Sequence, residues 1–101
     1  MFVVHIEHPV LDYDRWKTAF DSDPVGREKA GVRRHRVMRQ ATDPNVVLID
    51  LELDTVQQAQ AMLDSLQVLW GRVDGVLVSG PQGRVFEVVE TVPDRPAGDD
   101  A

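Results

Sequence analysis

Cysteine is absent from the 101 residues, which excludes disulfide staples, thiolate nucleophiles and cysteine-bound zinc. The same absence fits a reducing cytoplasm, the compartment expected for this chain. Lysine is scarce, two residues against nine arginines, and 11 basic against 17 acidic side chains leave a net charge of −6. Neutralising phosphates requires a basic surface, so nucleic acid is not an expected partner. No apolar run approaches the roughly 20 residues of a membrane span. Met1–Glu7 has neither the basic start nor the apolar stretch of a signal peptide, so no membrane partner is expected. No serine has a plausible base beside it in a hydrolase motif. Gly80-Pro81-Gln82-Gly83 lacks the helix and lysine of a phosphate loop and reads as a turn.

What remains is one domain's worth of chain, with 43 % hydrophobic and 28 % charged residues, ordinary for a globular protein. Phe2–Glu7 alternates in character and is rich in β-formers, which predicts a strand that His8-Pro9 ends. Asp12 suits a helix N-cap, with Asp14 in the first turn where the dipole favours negative charge. Tyr13, Trp16 and Phe20 form an apolar stripe, and the helix is expected to run on past Pro24 to Gly31. Val32–Gln40 and Val46–Leu53 read as an antiparallel hairpin around the turn Ala41–Asn45.

Asp54-Thr55-Val56-Gln57-Gln58 opens a second helix with a capping box, and Val56, Ala59, Leu63, Leu66, Trp70 and Val73 carry its 3.6-residue rhythm. Arg84–Val92 reads as the last strand. The order is βαββαβ: an α+β, ferredoxin-like domain over residues 1–92, with an antiparallel four-stranded sheet and both helices on one face. Residues 93–101 are expected to form a disordered polar tail.

With Phe2, Val4, Ile6, Val47, Ile49, Leu51 and Leu53 facing the helices, the opposite sheet face receives Val3, His5, Glu7, Leu48, Asp50 and Glu52. Arg33, His35 and Val37 are assigned to that free face in the second strand, and Val85, Glu87 and Val89 in the last. A face carrying Val3, Val37, Leu48, Val85 and Val89 is too apolar for water. A homodimer that buries it against a second copy is the expected solution.

Three segments resemble the small dimeric α/β-barrel proteins. They are Asp12-Tyr13-Asp14-Arg15-Trp16-Lys17, Gly31-Val32-Arg33-Arg34-His35-Arg36-Val37 and Asp43-Pro44-Asn45, and the resemblance spans roughly residues 2 to 91, the length of one small domain. The group is the antibiotic-biosynthesis-monooxygenase-like superfamily with its cyclase-like bacterial relatives. The resemblance implies a homodimer enclosing a small hydrophobic ligand. Its haem-degrading branch relies on an asparagine, an aromatic residue and a histidine in set places. The only asparagine here is Asn45, in a turn, so that activity is not carried over.

His5 and His35 are the candidate general bases, since imidazole titrates near neutral pH. The first strand pairs with the third in such a sheet, so Asp50 could orient His5. Against this stands a plainer account, in which the histidines bond one another or the partner chain. Val3, Arg33, Val37, Leu48, Glu87 and Trp70 are the expected substrate contacts, Trp70 as the rim of a pocket. The arginines at 33, 34, 36 and 39 could pair with the carboxylates, hold an anionic ligand or guard an edge strand. His5 and His8 are three apart on a strand and face opposite sides, so no metal site is expected. The leading expectation is a monooxygenase or cyclase without a bound cofactor, acting on a small aromatic or polyketide-like molecule. The rivals are a non-catalytic dimer that binds a hydrophobic ligand and a structural dimer with a filled interior.

Overall fold

The alternation that begins at Phe2 persists past the expected stop, so the first strand is Phe2–Pro9 (β1). Asp12 caps the first helix, Tyr13–Asp21 (α1), by accepting the Arg15 N–H at 3.2 Å. The helix does not continue to Gly31. A residue before proline is kept out of right-handed helical space, and Asp23, before Pro24, takes a φ of 56°. Its carboxylate then accepts the Arg27 N–H at 2.9 Å, and residues 24–31 form turns. The computed structural model describes residues 1–93, so the expected tail falls, from 94 onward, outside the described residues.

Arg34–Gln40 (β2) and Asp43–Leu53 (β3) make the hairpin. Thr55 and Gln58 close a capping box, each side chain accepting the other's backbone N–H, at the start of Val56–Val73 (α2). The last strand is Gln82–Glu87 (β4), displaced toward the N-terminus from the expected Arg84–Val92. Gln82 and Gly83 belong to it because they lie opposite Glu7 and Ile6 on β1.

The sheet order is β2-β3-β1-β4 with every pairing antiparallel. One face carries Val4, Ile6, Val47, Ile49, Leu51 and Leu53, buried against Trp16 of α1 and Ala59, Met62, Leu63 and Leu66 of α2. This is the expected ferredoxin-like α+β architecture. Among the described residues no helix is long and apolar enough to cross a membrane.

Register corrects two strand faces. Residues directly opposite one another share a face, and His35, Val37 and Arg39 lie opposite the helix-facing Leu51, Ile49 and Val47. They therefore face α1, and Arg34, Arg36 and Met38 occupy the free face. On β4, Val85 and Glu87 lie opposite Val4 and Phe2, which leaves Arg84 and Phe86 on the free face. The reason is local: Val37-Met38 and Val85-Phe86 each put two apolar residues side by side, so alternation alone does not choose between faces.

Candidate functional site

Two separate places hold the chemistry-bearing side chains, one on each side of the sheet. On the free face, β1 and β3 bring His5 opposite Asp50, with Nδ1 of His5 2.6 Å from Oδ1 of Asp50. A carboxylate only accepts, so Nδ1 carries the proton and Nε2 is the basic nitrogen. Glu7 lies 3.7 Å from that Nε2. Asp50 also receives Nη2 of Arg36 at 3.1 Å, and Glu52 receives Nε of Arg34 at 2.8 Å. The half-buried acids therefore have the partners that their burial demands.

The other two arginines of the cluster are also engaged. Arg33 pairs with Asp54 at 3.0 Å. Arg39 bonds the Pro44 carbonyl at 3.0 Å and lies 4.3 Å over the Tyr13 ring. With every guanidinium occupied, the cluster offers an incoming anion little. Since β2 is an edge of the sheet, the charges also blunt a strand that could otherwise pair with another chain.

His35 does not join His5. It stands on the helix side with its ring 5.4 Å from that of Phe20 in an edge-to-face contact, and the residue is exposed. Of the expected substrate contacts, Val3 and Leu48 lie on the free face. Val37 packs against the core, Glu87 is exposed opposite Phe2, and Arg33 is exposed beside Asp54.

Trp70 does rim a cavity, but on the helix side of the sheet. About 290 Å³ of space lies there between β1, β3, α1, α2 and the 77–78 segment. Ile6 and Ile49 floor it, Trp16, Phe20, Leu66 and Trp70 wall it, and among the described residues His8 is its only titratable side chain. The volume lies just under the range usual for small-molecule pockets, and the near absence of polar groups suits an apolar ligand.

The sequence marks His8 as the end of a strand and as a rejected metal partner of His5, not as a cavity residue. One further step of the alternation Phe2, Val4, Ile6 would have sent it inward. It is 3 % exposed, with its ring 5.5 Å from Trp16. Its Nδ1 lies 3.2 Å from the Pro9 carbonyl oxygen, which can only accept, so Nδ1–H donates. Burial in apolar surroundings pushes its pKa below the usual 6.5, partly opposed by backbone hydrogen bonding.

The lowered His8 pKa makes folding pH-dependent. The unfolded chain takes up a proton on His8 near pH 6.5, while the folded chain does so only at lower pH. Stability is therefore complete above that value and falls as pH drops below it, at up to about 1.4 kcal/mol per pH unit for one proton. His8→Phe is expected to flatten this fall. Urea denaturation of both proteins at several pH values from about 7 to about 5 checks it, because the carboxylates common to both cancel in the difference. Identical slopes would refute the buried, neutral imidazole.

No family model matches this sequence, and no curated protein is similar to it in sequence. Solved structures are similar in fold. SnoaB, a cofactor-independent oxygenase from Streptomyces nogalater, superposes with a TM-score of 0.73 at 12 % identity, over 92 % of this chain and 97 % of that one. A candidate antibiotic biosynthesis monooxygenase from Nitrosomonas europaea gives 0.59 at 16 %, over 89 % and 100 %. A dimeric ferredoxin-like protein from an uncultured marine organism gives 0.61 at 14 %, over 90 % and 97 %. At such identities the likeness is one of fold and carries no residue roles. The chain has the ferredoxin-like fold of the antibiotic-biosynthesis-monooxygenase-like and dimeric ferredoxin-like proteins.

Proposed function

We propose that this protein is a monooxygenase- or cyclase-like enzyme that needs no bound cofactor and acts on a small aromatic or polyketide-like molecule. The observation that carries the reading is the cavity between sheet and helices. Its wall is almost wholly aliphatic and aromatic and holds one imidazole. Flat apolar molecules gain most from such a wall. The neighbouring fold of a cofactor-independent oxygenase supports the same chemistry. In that chemistry an electron-rich, hydroxylated ring loses a proton and gives electrons to dioxygen. One oxygen atom becomes a ring carbonyl, and the other leaves as water with two ring hydrogens.

The protein acts as a homodimer through its free sheet face. Val3, Met38, Leu48 and Phe86 supply the apolar area there, and Phe86 is 46 % exposed in the single chain. The ion pairs of Arg34 and Arg36 neutralise Glu52 and Asp50 before that face closes. Oxygen uptake with a panel of naphthoquinols and anthrones tests the activity. Turnover above the uncatalysed rate is expected, and none across the panel would leave a binding module.

A second reading places the reaction between the two copies, with His5 as base and Asp50 as its orienter. The 2.6 Å contact of that pair favours it. It predicts that His5→Ala abolishes oxygen uptake, whereas the helix-side cavity predicts little loss.

A further inference from the structure

His8 is held in one tautomer. The Pro9 carbonyl fixes the proton on Nδ1, which leaves Nε2 as a bare acceptor. No described residue bonds Nε2, yet among the described residues no fully buried side-chain nitrogen or oxygen lacks a partner. Nε2 is therefore not sealed into the core, and the space that His8 borders is the cavity. Ser22, the one hydroxyl-bearing residue among those described on the wall, donates its hydrogen bond to the Ala19 carbonyl. The wall thus presents one strong acceptor, no free charged donor and no counter-ion for an anion.

We propose that His8 is the specificity-determining residue of this site, its Nε2 accepting a hydrogen bond from a hydroxyl group on a flat, uncharged ligand. The inference rests on the cavity being the ligand site. A phenol or enol satisfies Nε2 and leaves the rest of the molecule in apolar contact. The same skeleton without a donor leaves Nε2 unpaired once water is displaced, which costs the hydrogen bond. A carboxylate meets an acceptor at His8 where it needs a donor, and the described wall holds no charged side chain to offset its lost hydration.

Three ligands of one skeleton separate these cases: 2-naphthol, 2-fluoronaphthalene and 2-naphthoate. Calorimetric titration of the wild-type protein is expected to show 2-naphthol binding about tenfold tighter than the fluoro compound, the worth of one neutral hydrogen bond. The naphthoate is expected to bind more weakly than either. Nitrogen-15 NMR of the imidazole supplies a readout independent of affinity. The Nε2 resonance should move on adding 2-naphthol and stay put with 2-fluoronaphthalene, while Nδ1 remains protonated throughout. His8→Phe should equalise naphthol and the fluoro compound. Should that variant fail to fold, the wild-type titrations and the nitrogen spectrum decide alone. Equal affinities for naphthol and the fluoro compound, or an unmoved Nε2, overturn the role of His8 and leave the cavity standing. Tightest binding of the naphthoate overturns it also. If none of the three binds, the cavity itself is not the ligand site, and both readings fall together.

Discussion

Leu48→Lys combined with Phe86→Lys is expected to turn a dimer into a folded monomer. Leu48 lies on β3 opposite Glu7 and Met38, and Phe86 on β4 opposite Val3, so the two changes strike the middle and the side of the free face. The arginines of that face at 34 and 36 are already paired with Glu52 and Asp50, so the added ammoniums find at most Glu7, opposite position 48, as a counter-charge. In a two-fold dimer each added ammonium appears twice, and each replaces apolar contact area with a charge that must leave water. Desolvating a charge without a full set of partners costs several kcal/mol, so the dimer should weaken by at least about a thousandfold, or roughly 4 kcal/mol. Stability of the single chain should change little, because Phe86 is already 46 % exposed there and changes at such positions usually have small effects. Light scattering on eluted protein at micromolar concentration measures the mass, and circular dichroism confirms that the variant is folded. A wild-type protein that is monomeric at that concentration would sink the dimer outright.

The same variant also separates the two candidate sites. The helix-side cavity is lined by residues of one chain, so a folded monomer should still bind 2-naphthol. A chamber between the copies, with His5 and Asp50 inside it, would lose its ligand when the copies part. Retained binding with lost oligomerisation assigns the free face to assembly and the helix face to chemistry.

Much of this arrangement was legible in the residues, and the illegible part has an identifiable cause. Strands β1 and β3 declare their faces through their polar positions, because His5 and Glu7 flank Ile6 in one and Asp50 and Glu52 alternate with Ile49, Leu51 and Leu53 in the other. Their pairing then placed His5 beside Asp50, a contact the sequence anticipates. The edge strands carry doublets, Val37-Met38 and Val85-Phe86, whose phase is set only by the neighbour's register. His35, Val37 and Glu87 were misassigned for that reason. Trp70 was legible as a pocket rim through its place near the end of an apolar helical stripe. His8 was hidden by the proline after it: a strand-stop signal outweighed one more step of a two-residue period. Gly83 was hidden in the same way, since Gly80-Pro81-Gln82-Gly83 has the composition of a turn, and only the pairing with Ile6 shows that its last two residues are strand.

That glycine carries the second large effect. Gly83 sits opposite Ile6 on the helix-facing side of β4, under the ring of Trp70. A Cβ there would stand 2.9 Å from Cη2 of Trp70 and 2.7 Å from Cδ1 of Leu63, closer than carbon atoms tolerate. The position demands glycine for space rather than for backbone freedom. Gly83→Val would gain something in strand propensity, yet it inserts three carbons where none fits, and overpacking costs typically 1–3 kcal/mol. Leu63 is buried among its neighbours, whereas Trp70 borders open space, so the indole is the group that yields. It should swing into the cavity and occupy volume that a ligand needs. The expected result is a loss of about 2 kcal/mol in urea denaturation, with 2-naphthol affinity lowered at least tenfold. Adding Trp70→Leu to Gly83→Val should restore part of the stability, because the smaller side chain removes the clash with the ring while that with Leu63 stays, and a double-mutant cycle measures that coupling. Strict additivity of the two changes would mean that Trp70 does not lie over Gly83, and the cavity wall would then have to be redrawn without it.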